Sequence, residues 1–397
     1  MPSLVEGAQA TARSVRAVVG GLMIKILHSA DWQIGLRAKH VANVAEAVRG
    51  ARLDAARNVI QSANRLGVNA VVLAGDIFED TSVGDRLVHQ VVTILAESRV
   101  PVYVLPGNHD PLTPDAVYLR ASWRQRPEHV RMLDTSVAVP VPGTDAVLLP
   151  APLRQKTGLK DPTSAWIQRE EADGIRIGVA HGSLRIEGKH SPDDFPIALD
   201  AVARSGLDYL ALGHWHGQYI HGERTAYSGA HETTKFGEDG SGQALMVEIP
   251  SRGALPQLTP VPTRSLTWRL LELDLNQGTE LEAARVHEHV AGIKDPARTL
   301  LRLRTTGASS DEDTSRLAAL EESLWGKGFL HIELDRRDVA RTKAEGRLAE
   351  LSLSSGLLAT LLEQLGAQAV SGQTSAPDVI RPAARQLLSE LVMEVWK

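Results

Sequence analysis

The sequence predicts an α/β fold followed by a smaller α+β domain and a helical C-terminal tail. The first observation is a set of five short runs rich in Val, Ile and Leu: IKIL (24–27), AVVL (70–73), VYVL (102–105), IGVA (177–180) and YLAL (209–212). Runs of this length and composition read as strands buried on both faces. The second is the helical spacing between them. Val44, Val48, Leu53, Ala56, Ile60 and Leu66 recur at helical intervals and stop at Gly67, and a further helix is expected over 84–98. The third is that every strand ends in a polar, glycine-bearing or acidic turn. Strand–helix–strand alternation of this kind argues for an α/β domain.

A length of 397 residues exceeds one ordinary core and predicts more than one domain. Residues 1–22 read as a disordered extension. A basic pair, Arg13 and Arg16, precedes an apolar stretch there, but Lys25 interrupts it too soon for a signal peptide. The first domain is expected over 23–250. The stretch SRGALPQLTPVPTRS holds three prolines without periodicity, so 251–264 reads as a linker. Residues 265–340 then alternate strand (SLTWRLLELDL), helix (279–293), strand (TLLRLRTT), helix (311–325) and strand (FLHIELDRR). From 341 the chain reads as amphipathic helix, too short in each piece to stand alone in water.

Composition excludes several function classes. With no cysteine there is neither a disulfide nor a thiolate metal site, which fits a reducing, cytoplasmic setting. No run approaches 18 uninterrupted apolar residues, so no membrane span is expected. The formal net charge of −5 gives no global attraction to nucleic acid. Phosphate contacts would need a local basic face. Two clusters are candidates: Arg120, Arg124, Arg126 and Arg131, and Arg336, Arg337, Arg341, Lys343 and Arg347. Solvated surface charge is the competing reading of both.

The chemistry sits in the turns. Asp31 follows the first strand, Gly75-Asp76 the second, Gly107-Asn108-His109-Asp110 the third, His181-Gly182 the fourth and Gly213-His214-Trp215-His216 the fifth. In open α/β sheets ligands gather at the carboxyl ends of strands, so these turns are expected on one rim. Oxygen and imidazole donors without sulfur suit Mn, Fe or Zn. The donors are too many for one catalytic ion and suit two ions about 3.5–4 Å apart, which clamp a phosphoryl displacement. Taken singly, a His at a strand end is usually a structural hydrogen-bonding group, and Asp and Asn are ordinary turn formers. It is their joint occurrence, in order and each after an apolar strand, that points to a site. Trp32 and Trp215 read as packing residues around it.

The series ILHSADWQIG (26–35), VLAGDIFED (72–80), VLPGNHD (104–110), YLALGHWHG (209–217) and YSGAHETTKFGED (227–239) resembles the calcineurin-like metallophosphoesterase superfamily, and within it the Mre11/SbcD nucleases. The resemblance is specific for the first domain and architectural after 265. It implies a four-layer α/β/β/α sandwich with a capping, DNA-binding domain over 265–340, and two divalent ions, Mn2+ by preference. Asp31, the residue at 33, Asp76 and His216 would hold one ion. Asp76 as a bridge, with Asn108, His181 and His214, would hold the other. His109 would protonate the departing 3′ oxygen of DNA, with Asp110 and Glu79 as supporting groups that orient His109 or a ligand. Partners implied are DNA, a second copy of the chain, and a Rad50/SbcC-like coiled-coil ATPase. That ATPase would be met by the helices over 341–397 through Leu357, Leu361, Leu362, Leu365, Leu387, Leu388 and Leu391, unless these pack within the chain.

The departure from the pattern is Gln33, where the resemblance implies His. A neutral amide oxygen is a poorer donor than imidazole. An active site with a weakened first ion, a site completed by a partner or by His231, and a catalytically weak DNA-binding scaffold are all open. A phosphodiesterase for a small nucleotide is the alternative enzyme.

Overall fold

A computed structural model describes residues 23–168, 174–188 and 191–341. The expected extension at 1–22 and the helical region at 341–397 lie, Arg341 aside, outside the described residues. The chain divides into two compact units. Among the described residues, one comprises those from 23 to 36, 52 to 232 and 240 to 263; the other comprises those from 37 to 51, 233 to 239 and 264 to 341.

The first unit contains β1 (Ile24–Ser29), most of α1 (Ala45–Leu66), β2 (Ala70–Ala74), α2 (Asp85–Ala96), β3 (Val102–Leu105), α3 (Ala121–Arg124) and β4 (Val130–Met132). It continues with β5 (Val139–Pro140), β6 (Val147–Ala151), β7 (Arg176–His181), α4 (Ala201–Ser205), β8 (Tyr209–Gly213), β9 (Tyr219–His221) and β10 (Thr225–Tyr227), then β11 (Gln243–Ile249) and β12 (Gln257–Pro262). They form two mixed six-stranded sheets, in the orders β12-β11-β1-β2-β3-β4 and β5-β6-β7-β8-β10-β9. The five expected strands are β1, β2, β3, β7 and β8, in the centres of these sheets, with β1, β2 and β3 parallel in one and β7 and β8 parallel in the other.

Burial explains their unbroken apolar character. Successive strand residues point to opposite faces. Ile24, Ile26 and Val72 pack with Ile177, Val179 and Ala211 in a core shared by the two sheets. Leu27, Val71 and Leu73 face the other way, onto Val59 and Ile60 of α1 and Val88 and Val91 of α2. On the second sheet Ala180, Leu210 and Leu212 pack with Trp166 and Leu207. A mixed α/β fold is therefore built as expected.

One boundary differs. The stretch 251–264, expected as a linker, contains β12, which pairs antiparallel with β11 and places Pro260 opposite Leu245 and Pro262 opposite Gln243. Proline lacks a ladder donor but is tolerated on an edge strand, and β12 is the sheet's edge.

The second unit has the expected alternation: β13 (Thr267–Asp274), α5 (Thr279–Ala291), β14 (Thr299–Ser309), α6 (Asp311–Trp325) and β15 (His331–Arg341). The strands form one parallel sheet, β13-β14-β15. Leu301 and Leu303 pack with Val286 and Val290 of α5 and Leu317 and Leu320 of α6. Leu300 and Trp268 pack instead with Val41, Val48 and Phe236, from the two sequence-distant segments of this unit. Helix α6 starts in a capping box: Ser310 Oγ accepts from the Asp313 N–H at 3.1 Å, and Asp313 Oδ2 accepts from the Ser310 N–H at 2.8 Å. Replacing Ser310 with Ala is expected to lower the unfolding free energy of this unit by about 1 kcal/mol. Urea denaturation followed by circular dichroism measures that loss, and an unchanged midpoint would show that the cap contributes nothing.

Candidate metal centre

The site is built from turns whose backbones lock together. The Asp31 N–H donates to the Gly75 carbonyl at 3.1 Å, and the Gln33 N–H donates to the Asp76 carbonyl at 2.9 Å. Among the described non-glycine residues, six have positive φ, and four of these are candidate ligands: Asp31 (55°), Gln33 (40°), Asp76 (55°) and His214 (114°). Such conformations cost roughly 1–3 kcal/mol each and persist where surrounding structure imposes them, commonly at functional sites. Two glycines permit the close approach. A Cβ at Gly107 would fall 2.1 Å from Asp76 Oδ1, and one at Gly75 would fall 2.2 Å from His181 Nδ1.

At the centre lie Asp31, Asp76 and His181, all buried, each with a donor atom within 4.8 Å of the others. His181 Nδ1–H donates to the Ala74 carbonyl at 2.8 Å, which leaves Nε2 facing inward. Nε2 is 3.2 Å from Asp76 Oδ2 and 2.9 Å from Asn108 Oδ1. Asn108 Oδ1 is also 3.1 Å from His214 Nδ1. Donors on one divalent ion with bonds of about 2.1 Å in octahedral geometry are separated by about 3 Å, so this donor set fits an ion. The imidazole is also pinned as metal-binding histidines are, through its second nitrogen to a carbonyl.

The electrostatics agree. Burial would lower His181, but the charge and hydrogen bond of Asp76, and then the Asp31 charge, raise it to about 9. Burial would raise Asp76, but the charge and hydrogen bond of His181, with those of His109, hold it at about 2. Burial pushes the Asp31 carboxyl up, against the pull of the His181 and His216 charges and the His214 N–H. The centre calls for positive charge, and a proton on His181 supplies it when no cation does.

His109 stands beside this centre. Its N–H donates to Asp76 Oδ1 at 2.9 Å and its Nδ1–H to the Glu79 carbonyl at 2.7 Å, so Nε2 is the nitrogen left to exchange a proton. Asp110 and Glu79, expected to orient His109 or a ligand, make no carboxylate hydrogen bond to the His109 ring, although the Glu79 carboxylate feels the His109 charge. Asp110 Oδ1 accepts from the Gly107 N–H at 2.7 Å, and Oδ2 accepts from the Phe78 N–H at 3.0 Å and the Tyr118 hydroxyl at 2.5 Å. Its carboxylate is thus taken up in shaping the turn, and burial, then the Asp76 charge, push it up to about 6. Glu79 orients His109 by its main chain. Its half-buried carboxylate, raised by burial, leaves Oε2 without a hydrogen bond.

His214 donates its N–H to both Asp31 oxygens, at 3.0 and 3.1 Å. The His216 carbonyl accepts from the Ala230 N–H at 2.8 Å, while its ring charge acts on Asp31. Gln33 is buried with its backbone fixed against Asp76. His231 is fully buried, stacked on Trp32 at 5.2 Å, and donates Nε2–H to the Arg52 carbonyl at 2.8 Å. Trp32 is fully buried as expected, and Trp215 stacks on Tyr227 at 4.5 Å.

Two residues escape the sequence reading. Arg52 is buried in α1, and its Nη2 donates to the carbonyls of Trp32 and Asp31. The signal was present: Arg52 lies four residues from both Val48 and Ala56, on the apolar stripe, where a charge has no reason to sit unless it is partnered. Asp194 accepts from His214 Nε2 at 2.8 Å. It lies in SPDDFP, which has no periodicity to mark it.

Residues 24–218 match the model of the calcineurin-like phosphoesterase family. The chain is 25% identical over 210 residues to an uncharacterized metallophosphoesterase, YhaO, of Bacillus subtilis (strain 168), covering 50% of each chain. It is 24% identical over 141 residues to exonuclease subunit 1 of Enterobacteria phage T4, covering 34% of this chain and 40% of that protein. It is also 24% identical over 302 residues to the SbcD subunit of nuclease SbcCD from Rhodobacter capsulatus, covering 60% of this chain and 69% of that protein. The chain thus spans half the length of the first and less of the second. Among solved structures it is similar to TT1561 of Thermus thermophilus, with a TM-score of 0.41 at 12% identity over 61% of this chain and all of that one. A second is calcineurin-like phosphoesterase YfkN from Bacillus subtilis, with a TM-score of 0.36 at 10% identity over 61% and 91%.

A pH dependence of metal binding follows. His181, raised to about 9, carries a proton at pH 7 that a cation at Nε2 must displace. Binding is therefore expected to release close to one proton from this ring at pH 7, and to tighten with rising pH until about pH 9. Titration calorimetry in buffers of different ionisation enthalpy measures the released protons; proton uptake would contradict the assignment.

Proposed function

We propose, from the premise that residues 24–218 are a calcineurin-like phosphoesterase domain that hydrolyses phosphoesters, that the chain is the metal-dependent exo/endonuclease subunit of a DNA-processing complex. The observation that carries this reading is the convergence of Asp31, Asp76, Asn108, His181 and His214 beside the His109 ring. Asp31, Gln33, Asp76 and His216 would hold one ion; Asp76, Asn108, His181 and His214 would hold the second. Two Mn2+ ions bound there would neutralise phosphate charge and activate water. The protein's own part is positioning and proton delivery. Glu79 pins His109 Nδ1, so Nε2 delivers the proton to the departing oxygen.

DNA as the substrate is supported by the likeness to the SbcD subunit of nuclease SbcCD, whose 302-residue alignment is longer than the phosphoesterase match. A cleft of about 530 Å³ in the second unit, lined by Arg269, His289, Lys294, Asp295 and Arg298 among others, offers cations to a phosphate backbone. The basic cluster at 120–131 offers less. Arg120 donates to the Thr81 and Val83 carbonyls, and Arg126 donates to the Val130 carbonyl and lies over Trp123. In the other cluster Arg337 is paired with Asp335, and Lys343 and Arg347 lie outside the described residues. A coiled-coil ATPase held by residues 341–397, which the sequence predicts to be helical, and a homodimer complete the proposed assembly.

Mn2+-dependent cleavage of single- and double-stranded DNA, compared with a small phosphodiester reporter, tests the reading. His109→Ala is expected to lower kcat on DNA by about 10²–10⁴-fold while Mn2+ affinity is kept. Gln33→His is expected to preserve or raise activity and tighten Mn2+ binding. If it abolishes activity in a folded protein, position 33 is not a ligand. Arg269→Glu with Lys294→Glu should weaken DNA binding, flatten its salt dependence by about one unit per lost contact, and spare the reporter. Cleavage of the reporter but never of DNA, with or without an ATPase subunit, would favour a small-nucleotide phosphodiesterase.

A further inference from the structure

Both ring nitrogens of His214 meet oxygens. Nδ1 faces Asn108 Oδ1 at 3.1 Å, and Nε2 faces Asp194 Oδ1 at 2.8 Å. Asp194 is itself held. Its Oδ2 accepts from the Ser183 hydroxyl at 2.6 Å, its carbonyl accepts from the Ser183 N–H at 3.0 Å, and its N–H donates to the Ser191 carbonyl at 3.2 Å. The flanking residues are fixed as well, since the Asp193 carbonyl accepts from the Gly158 N–H at 2.8 Å and the Phe195 N–H donates to the Gly158 carbonyl at 2.9 Å. Ser183 Oγ in turn accepts from Trp215 Nε1–H at 3.0 Å. A chain of hydrogen bonds therefore runs from Trp215 through Ser183 and Asp194 to His214.

We propose that Asp194 is a positioning residue that fixes the tautomer and ring plane of His214, so that Nδ1, and not Nε2, is its metal-binding atom. This rests on the metal-centre reading above and extends it to a residue outside the motif turns. An imidazole whose remote N–H is given to a carboxylate is held in one orientation and is a stronger donor at its other nitrogen. Asp194 suits that role by geometry. It meets the ring on the side away from Asn108, and its second oxygen is engaged by Ser183, so the carboxylate cannot swing toward the ion. The backbone hydrogen bonds of residues 193–195 to Gly158 and Ser183 keep it there.

The test is Mn2+ titration calorimetry on the full chain for Asp194→Ala, Asp194→Asn and Ser183→Ala. Thermal midpoints in chelator serve as the folding control, and long-range 1H–15N spectra of the metal-free protein report the His214 tautomer. Expected are a 10–100-fold loss of Mn2+ affinity for Asp194→Ala, a smaller loss for Asp194→Asn, which keeps an acceptor without the charge, and a smaller one again for Ser183→Ala. His214 should be the Nε2–H tautomer in the unaltered protein and lose that preference in Asp194→Ala. Mn2+ affinity within about twofold of the unaltered protein, or an unchanged tautomer, would overturn the proposal. So would a loss that only tracks a lowered thermal midpoint across all three variants. Asp76→Asn and His181→Ala separate this from the underlying reading. If they too leave Mn2+ binding intact, the metal centre itself is wrong; if they abolish it while Asp194→Ala does not, only the role of Asp194 fails.

Discussion

The hydrogen bond from His181 Nδ1 to the Ala74 carbonyl joins the end of β7 to the end of β2, which belong to different sheets. Most of the candidate site depends on it. It brings two strand ends together at one rim, and it commits one imidazole nitrogen so that the other faces Asp76 and Asn108. It also requires bare backbone at Gly75, since a side chain there would overlap the ring. The backbone bonds of Asp31 to Gly75 and of Gln33 to Asp76 add the β1 turn to the same frame. The polar centre is thus held by backbone groups of its own turns and of the end of β2.

That frame is under strain and carries buried charge, and both have identifiable counterweights. Arg52 donates to the carbonyls of Asp31 and Trp32 from within α1, beside a turn of left-handed residues. Asp110 takes three donors and so fixes the turn that carries Asn108 and His109. Neither residue needs to touch a substrate to matter, because a shift of the turn backbone displaces donors that must meet within a few tenths of an ångström. Arg52 comes from α1, whose Ala56, Val59 and Ile60 pack into the apolar core, and Asp110 from the turn following β3.

Much of this was legible in the sequence because the central strands are buried on both faces and end abruptly at polar turns. The five runs, the two long helices and the alternation after 265 carry enough apolar periodicity to be read directly. Strands β4, β5, β9 and β10 are only two or three residues long, with too little pattern to detect. Strand β12 was hidden by prolines that its edge position tolerates. The second unit also draws on residues 37–51 and 233–239, which no local pattern assigns to it. At the site, the motif turns announced their residue types but not their partners. Asp110 was legible as an acid near His109, not as a clamp on the backbone. Asp194 had no local signal, since a carboxylate in an irregular loop acquires meaning only from what folds against it.

The two glycines set a boundary on how such a protein can diversify. Gly107 lies 2.1 Å, measured from where a Cβ would stand, from an oxygen of Asp76, and Gly75 is as close to the His181 ring. No side chain fits at either place without moving an atom of the centre, whatever substrate the protein serves. Laboratory diversification aimed at new substrates therefore gains nothing at 75 or 107. It is better directed to groups that border the centre without being wedged into it, such as the half-buried side chain of Glu79. The tightest part of the architecture is a fixed platform, and the freedom to change lies one layer out.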